Sequence, residues 1–341
     1  MNYNYSVIIR TLGTAGQKYE KLLESLIKQT IKPTEILVVL PKGYKKPKEQ
    51  IGIEKFIFSE KGMVQQRIMG IKKSNTDFLL IVDDDVKFGE SFVENLFITK
   101  QKYNADCICP KMIEKTENNF SLRNRFKSFL ANLIMAFTGG AYRSKKKSKY
   151  KIKICSTGGF IVNTRESNES TIYTQSYNGA CFFINRSSAI RLKYEEELWL
   201  DNVKYAWPDD QVFFYKLFLQ GNKIIYNKSL SYYHLDAGAS LTGNNLSKKI
   251  NQTFSISCNS TIFWHRFIYL PEKNKLKRVW KISCLIYRII NTTLFTLFRN
   301  AFSKTNRKII SAHIKGYIQA YIYISSNRYK DIPKIKFNSK I

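Results

Sequence analysis

The chain has 341 residues, 44% hydrophobic and 14% aromatic, which is enough apolar side chain for a large core and excludes a disordered polymer; the length suits two domains, or one with an extension. Its 56 basic against 26 acidic residues give a formal charge of +30, more than solubility requires, so attraction to something anionic is expected: nucleic acid, a lipid surface or a phosphorylated substrate. Six cysteines at 107, 109, 155, 181, 258 and 284 show no Cys-x-x-Cys spacing, which argues against structural zinc.

The chain opens with Met1-Asn2-Tyr3-Asn4-Tyr5 and shows no basic-then-apolar leader or small-residue cleavage site, so a cytosolic location and reduced, mostly buried thiols are expected. Up to about residue 110, β-rich apolar runs alternate with helical patterns. Tyr5 to Arg10 reads as a strand, Lys18 to Gln29 as a helix with Leu22, Leu23, Leu26 and Ile27 on one face, and Glu35 to Leu40 as a strand. Lys55 to Phe58 follows, then a helix over Met63 to Lys73, the strand Phe78 to Val82 and a helix over Ser91 to Tyr103. This alternation predicts a mostly parallel sheet covered by helices, and ligands of such sheets bind beyond the carboxyl ends of the strands.

Phe78 to Val82 runs into Asp83-Asp84-Asp85 at one such end. Adjacent carboxylates repel one another, and hydrogen bonds, lysines or a divalent metal offset that cost. Asp83 and Asp85 lie two apart, so an extended backbone points them the same way, toward one site. The plainer reading is an acidic turn after a strand.

Asn118 to Lys153 reads as a basic insertion: the stretch from Asn118 to Arg165 contains no acid, and the apolar Phe126 to Thr138 is flanked by arginines and lysines. That segment is too short to span a bilayer and suits an interfacial helix or a core helix with a solvated basic loop. Gly179 to Arg186 then reads as a strand, and Asp210 to Leu219 as a helix closed by Gly221. Lys223 to Asn227 and Leu230 to Leu235 read as strands, the second containing His234. From about Phe263 the chain is helical and basic; Arg288 and Asn291 inside Val279 to Phe298 favour an amphipathic surface helix over a span.

Taken in order, the carboxylate cluster, the Asp209-Asp210 pair before a helix and His234 resemble a family-2 glycosyltransferase of the bacterial surface-polysaccharide type, with the GT-A fold. The resemblance covers about Ser6 to Ser240. It rests on Ser6-Val7-Ile8-Ile9-Arg10-Thr11, Glu35 to Val39, Gly62 to Ile71 with Thr76-Asp77-Phe78 and Asp83-Asp84-Asp85, and Trp207-Pro208-Asp209-Asp210-Gln211-Val212-Phe213 with Gln220-Gly221-Asn222-Lys223. It implies an α/β fold with a Rossmann-like mixed sheet over residues 1–245, comprising a nucleotide-sugar half (about 1–110), the insertion (118–153) and an acceptor half (154–245). Residues 246–341 then form a basic helical extension for membrane association.

The resemblance further implies an inverting transfer from a nucleotide-diphosphate sugar, commonly a UDP-sugar, to a glycan or polyprenyl-linked acceptor. Asp85 becomes the candidate ligand of Mn²⁺ or Mg²⁺, with His234 completing the coordination or contacting the diphosphate, or serving as a structural hydrogen-bonder. Thr11, Arg67, Asp83 and Asp84 fall on the donor side, Asp83 toward the ribose and Arg67 toward the phosphates, where otherwise Arg67 is a solvated helix residue. Asp210 is the candidate general base and Asp209 its neighbour or an acceptor contact; an acidic helix N-terminus is the alternative for the pair. Two departures touch the nucleobase: Leu40-Pro41-Lys42-Gly43 replaces an acidic segment, and Ile68 stands in place of asparagine.

The basic regions then suit an anionic membrane surface, and the location expected is the cytoplasmic face of the cell membrane. Nucleic acid is not expected as a partner, since neither zinc-finger spacing nor an RNP-like aromatic signature is present. A basic nucleic-acid-binding protein and a catalytically silent GT-A scaffold are the alternative readings.

Overall fold

The computed structural model describes residues 3–114, 149–162, 169–235, 245–300 and 307–337. The helix expected over Phe126 to Thr138 lies outside the described residues, as does most of the basic insertion.

The first strands are β1 (Tyr5–Arg10), β2 (Glu35–Pro41), β3 (Glu54–Ser59) and β4 (Phe78–Asp83), with helices α1 (Gln17–Ile27), α2 (Met63–Lys73) and α3 (Phe92–Tyr103) between and after them. β3, β2, β1 and β4 lie side by side and parallel. Every residue of β1 and β2 is buried, the reason these strands read as continuous apolar runs. Successive side chains alternate between two cores: Val7 and Ile9 join Leu22, Leu23 and Leu26 of α1 on one face, and Ile8 joins Val64, Ile68 and Ile71 of α2 on the other.

Beyond β4 the sheet turns mixed. β10 (Cys181–Asn185) is antiparallel to both β4 and β6 (Cys107–Glu114). β11 (Ile224–His234) runs parallel to β6 and antiparallel to β9 (Thr171–Tyr173) and to the short β5 (Val86–Lys87). The two strands expected over 223–227 and 230–235 are thus one, its register shifted between Asn227 and Ser231. An irregularity accommodates the unpaired residues without ending the strand. β7 (Ile152–Ile154) and β8 (Phe160–Val162) form a separate hairpin.

The later helices are α4 (Arg186–Arg191), α5 (Asp209–Leu219), α6 (Leu246–Phe263), which continues as a π-helical turn over Trp264–Tyr269, α7 (Lys275–Asn300), α8 (Arg307–Ser325) and α9 (Asn327–Lys330). Helix therefore begins at Leu246, well before the expected Phe263. The sequence of α6 hides this: its buried face includes Ser255, Ser257, Asn259 and Thr261 rather than an apolar stripe. Their polar atoms find partners, with Thr261 donating to the Ser257 carbonyl, Asn259 to the Leu200 carbonyl and Ser257 paired with His313.

The C-terminal region is not a separate appendage. Cys258, Ile262, Phe263, Trp264, Phe267, Ala320 and Tyr329 belong to the same core as α2 and α5. A buried ion cluster crosses the junction: Glu197, fully buried, accepts from Lys216 of α5 at 2.7 Å and from Arg266 at 2.8 Å through each oxygen. Burial works against its charge, but Lys216 and Arg266 outweigh it and hold the Glu197 pKa below the usual range.

Candidate functional site

The site forms where β1, β4 and β11 end and α5 begins. Gln66 of α2 donates to the carbonyls of Thr11 and Val39, at 3.1 and 2.8 Å, and so fixes the ends of β1 and β2 relative to each other. The start of α2 is held from afar, since Asp201 accepts from the amides of Val64 and Gln65 at 3.3 and 3.0 Å. A Cβ on Gly62 would meet the Asp201 carboxylate at 2.2 Å, so only glycine permits this approach.

Asp83 ends β4, but Asp84 and Asp85 form a turn into β5. The extended backbone expected to align Asp83 with Asp85 is therefore absent, and the three carboxylates take different partners. Asp83 accepts from Arg10 at 2.7 Å, Asp84 from the Thr11 hydroxyl at 2.5 Å, and Asp85 faces His234 Nε2 at 3.3 Å. The Leu235 amide donates to the Asp85 carbonyl at 2.8 Å, tying this turn to the end of β11. Burial pushes the Asp84 carboxyl up to about 6, with Asp83 and Asp85 adding to the shift and the Thr11 hydroxyl opposing it.

The centre is a chain of alternating charge running from Asp83 through Arg10, Asp209 and Arg67 to Asp210. Its successive separations are 2.7, 3.4, 3.3 and 2.8 Å. The interior members are buried, while the two ends are open: the side chains of Asp83 and Asp210 keep 31% and 27% exposure. Arg67 was expected to face donor phosphates or solvent. Instead its guanidinium is fully buried, ringed by Phe182, Tyr194 and Phe213 and directed at Asp209 and Asp210.

Asp209 sits between both guanidiniums, and Tyr194 donates to its carbonyl at 2.9 Å. Burial pushes the Asp209 carboxyl up to about 7, helped by the neighbouring Asp210 and opposed by Arg67 and Arg10. Asp210 approaches Gly179 so closely that a Cβ there would fall 1.9 Å from Oδ1. Both aspartates open α5, which follows the cis Trp207-Pro208 bond.

Asp85 and His234 are the pair suited to a divalent cation. They offer a hard oxygen and an imidazole 3.3 Å apart, and Asp85 Oδ1 is buried without a hydrogen bond. No group of three or more His, Cys, Asp or Glu side chains suited to a metal occurs among the described residues. The pair therefore fits an ion that takes its other ligands from phosphate oxygens and water, as Mg²⁺ commonly does. Asp83, Asp84, Thr11, Asp209, Asp210 and Arg67 all gather around the same strand ends. Arg10, Tyr194, Gly179 and Asp201 have structural roles at the site that the sequence did not reveal; a charged residue ending the otherwise apolar β1 is the one local sign of Arg10.

The family model described as Glycosyl transferase family 2 matches residues 6–172. No curated protein matches the chain. Among solved structures, the chain is similar to the crystal structure of GalNAc-T7 with UDP, GalNAc and Mn²⁺, at 14% identity and a TM-score of 0.48. That likeness covers 85% of the present chain and 55% of the other, so the chain spans little more than half the length of this relative. By the family match, residues 6–172 of the chain form a glycosyl transferase family 2 domain, which takes in the parallel strands and the carboxylate cluster at the end of β4.

Proposed function

We propose that the protein is an inverting, metal-dependent glycosyltransferase that moves a sugar from a UDP-sugar to a glycan or polyprenyl-linked acceptor in cell-surface polysaccharide synthesis. The observation that carries this reading is the charge chain, which links the carboxylate end of β4 to the first turn of α5 and leaves Asp83 and Asp210 open at its two ends. One open carboxylate belongs to the donor side and the other to the acceptor side.

In this reading Asp210 accepts the proton of the attacking acceptor hydroxyl. Arg67 aims the carboxylate, and Asp209 keeps the two guanidiniums apart and in place. Thr11 holds Asp84, and Asp83 meets the ribose. Asp85 and His234 would hold Mg²⁺ or Mn²⁺, which when bound neutralises charge on the departing diphosphate.

Work at the cytoplasmic face of an anionic membrane is supported by α7. Along its outer side Leu276, Val279, Trp280, Ile286, Ile290 and Leu294 are exposed, while Cys284 is buried and Lys281 turns inward to the Ile268 carbonyl and Glu272. Lys273, Lys275 and Lys277 lie at its start. An apolar face with basic residues beside it suits the headgroup boundary of an anionic bilayer. Among the described residues no helix is long and apolar enough to cross a membrane.

The test is a thermal-shift screen against UDP, GDP, CDP and their sugars, with and without Mn²⁺. A metal-dependent rise with one nucleotide, lost in Asp85→Ala, supports the reading. A folded protein that responds to none of them sinks it in favour of a silent scaffold or a polyanion binder.

A further inference from the structure

A cavity of about 380 Å³ lies where the β7–β8 hairpin and the Trp207-Pro208 segment meet α6, α7 and α8. Pro208 and Gln211, both in its wall, stand on either side of Asp209 and Asp210 in the chain. Trp207, 45% exposed, presents an aromatic ring to the same space. A ring of this kind offers an apolar face to the C–H side of a sugar, and a cavity of this size suits a small ligand.

The unusual member of the wall is Arg288 of α7. Nη1 donates to the Thr157 carbonyl at 2.8 Å and Nη2 to the Thr261 hydroxyl at 3.4 Å, both neutral acceptors. Among the described residues no carboxylate forms an ion pair with it. The most buried arginines among the described residues, Arg10, Arg67 and Arg266, are each matched by a carboxylate. Burial pulls the Arg288 pKa down, with Tyr317 opposing, yet arginine keeps its proton at neutral pH.

The surrounding backbone is shaped around this cation. Gly158 turns at φ +76°, and a Cβ there would stand 3.0 Å from Arg288 Nη1. A half-buried guanidinium facing a cavity without a counter-charge is stabilised by an anion from outside the chain. The wall hydroxyls are already engaged, Ser260, Thr292 and Thr296 donating to carbonyls of their own helices and Ser257 pairing with His313, which leaves Arg288 as the permanent charge among the described residues of the wall.

We propose that this cavity is the acceptor subsite, and that Arg288 pairs with a phosphate group of a glycosyl-phosphate acceptor whose sugar rests on Trp207 near Asp210. The proposal rests on the glycosyltransferase reading and names the acceptor's chemistry. A water-soluble sugar phosphate and a lipid-linked sugar diphosphate present the same group to Arg288.

Calorimetric titration of the full chain, without metal, tests it with N-acetylglucosamine 1-phosphate, N-acetylglucosamine, glucuronate, inorganic phosphate and farnesyl-diphospho-N-acetylglucosamine. The sugar phosphates are expected to bind more tightly than the uncharged sugar, and Arg288→Gln to weaken them at least about tenfold. Ile256→Glu, on an exposed residue of the cavity wall, places a negative charge in the same space and is expected to do likewise should Arg288→Gln fail to fold. Tighter binding of the farnesyl compound assigns a lipid-linked acceptor, and equal binding a soluble one. The proposal is overturned if neither sugar phosphate binds, if both variants bind as the wild type does, or if glucuronate or inorganic phosphate binds as well as the sugar phosphates. The shift with UDP and Mn²⁺, measured on the same variants, separates this failure from failure of the donor site: an intact shift leaves the glycosyltransferase reading standing.

Discussion

Arg67 donates to Asp210 at 2.8 Å from a position with no solvent exposure, while the carboxylate it holds is 27% exposed. A fixed cation behind a partly open carboxylate leaves that carboxylate one free side. Arg67 also faces Asp209, so its removal strands two aspartates at once. Arg67→Met is therefore expected to cost about 3–5 kcal/mol of stability, as for other broken buried pairs. Asp210→Asn keeps the shape and is expected to lower turnover about 10²–10⁴-fold while the protein remains folded. Urea unfolding beside sugar-transfer kinetics checks both; an Asp210→Asn protein with unchanged turnover removes Asp210 from the role of base.

The raised Asp209 carboxyl gives stability a pH dependence of definite sign. Its pKa moves from 3.8 to about 7 on folding, so between these values the folded state binds more protons than the unfolded state. Stability contributed by this group is full below about 4 and falls as pH rises toward 7. Asp84, raised to about 6, acts in the same direction over a narrower window. Urea midpoints measured from pH 4 to pH 7 are expected to fall less steeply in Asp209→Asn than in the wild type. An identical slope in the two proteins would mean that burial does not hold the Asp209 proton.

Much of the fold is legible because parallel strands buried on both faces leave unbroken apolar runs, as in Val7-Ile8-Ile9 and Leu79-Leu80-Ile81-Val82. The carboxylate positions are legible for a related reason, since charge directly after such a run marks a strand end. The roles of Arg10 and Arg67 are not, because their partners are set by topology: Arg10 meets Asp83 and Asp209 across 73 and 199 positions, and Arg67 meets Asp210 across 143. Helix α6 escapes a periodicity search because hydroxyls and an amide occupy much of its buried face and find partners set by the tertiary fold, Asn259 at the Leu200 carbonyl and Ser257 at His313.

The pairing of Asp85 with His234 predicts a metal response that depends on both. With UDP present, His234→Gln is expected to weaken Mn²⁺ about tenfold or more, equivalent to about 1.4 kcal/mol. Electron paramagnetic resonance of free Mn²⁺ during titration reads this without any turnover. Wild-type affinity in His234→Gln would leave His234 as a hydrogen-bonding partner of the turn.

The apolar side of α7 faces away from the protein, the reverse of a helix that only packs on its own core. Ile286 and Ile290 are each 52% exposed one turn apart, so Ile286→Asp with Ile290→Asp alters the outer face without opening the core. Each change is expected to lower partition onto vesicles containing phosphatidylglycerol about tenfold or more, the scale of burying one isoleucine. Sedimentation with vesicles checks it, and thermal unfolding should be little altered. Equal sedimentation of the wild type with zwitterionic and anionic vesicles would remove the role given to the lysines beside this face.

The shared core predicts that the chain unfolds as one unit despite its sequence division near residue 245. Glu197 is fully buried and depends for its charge on Lys216 from one side of that division and Arg266 from the other. Removing Arg266 leaves a carboxylate with half its compensation in a place water does not reach. Arg266→Met is expected to cost about 3–5 kcal/mol and to lower the unfolding midpoints of both regions together. A chain ending at residue 245 loses Arg266 and also uncovers the core surface met by Ile262, Phe263 and Phe267, so it is expected to aggregate or remain unfolded. Two separate unfolding transitions in calorimetry of the full chain, or a stable fragment 1–245 that still binds UDP, would show instead that the sheet stands without the helices.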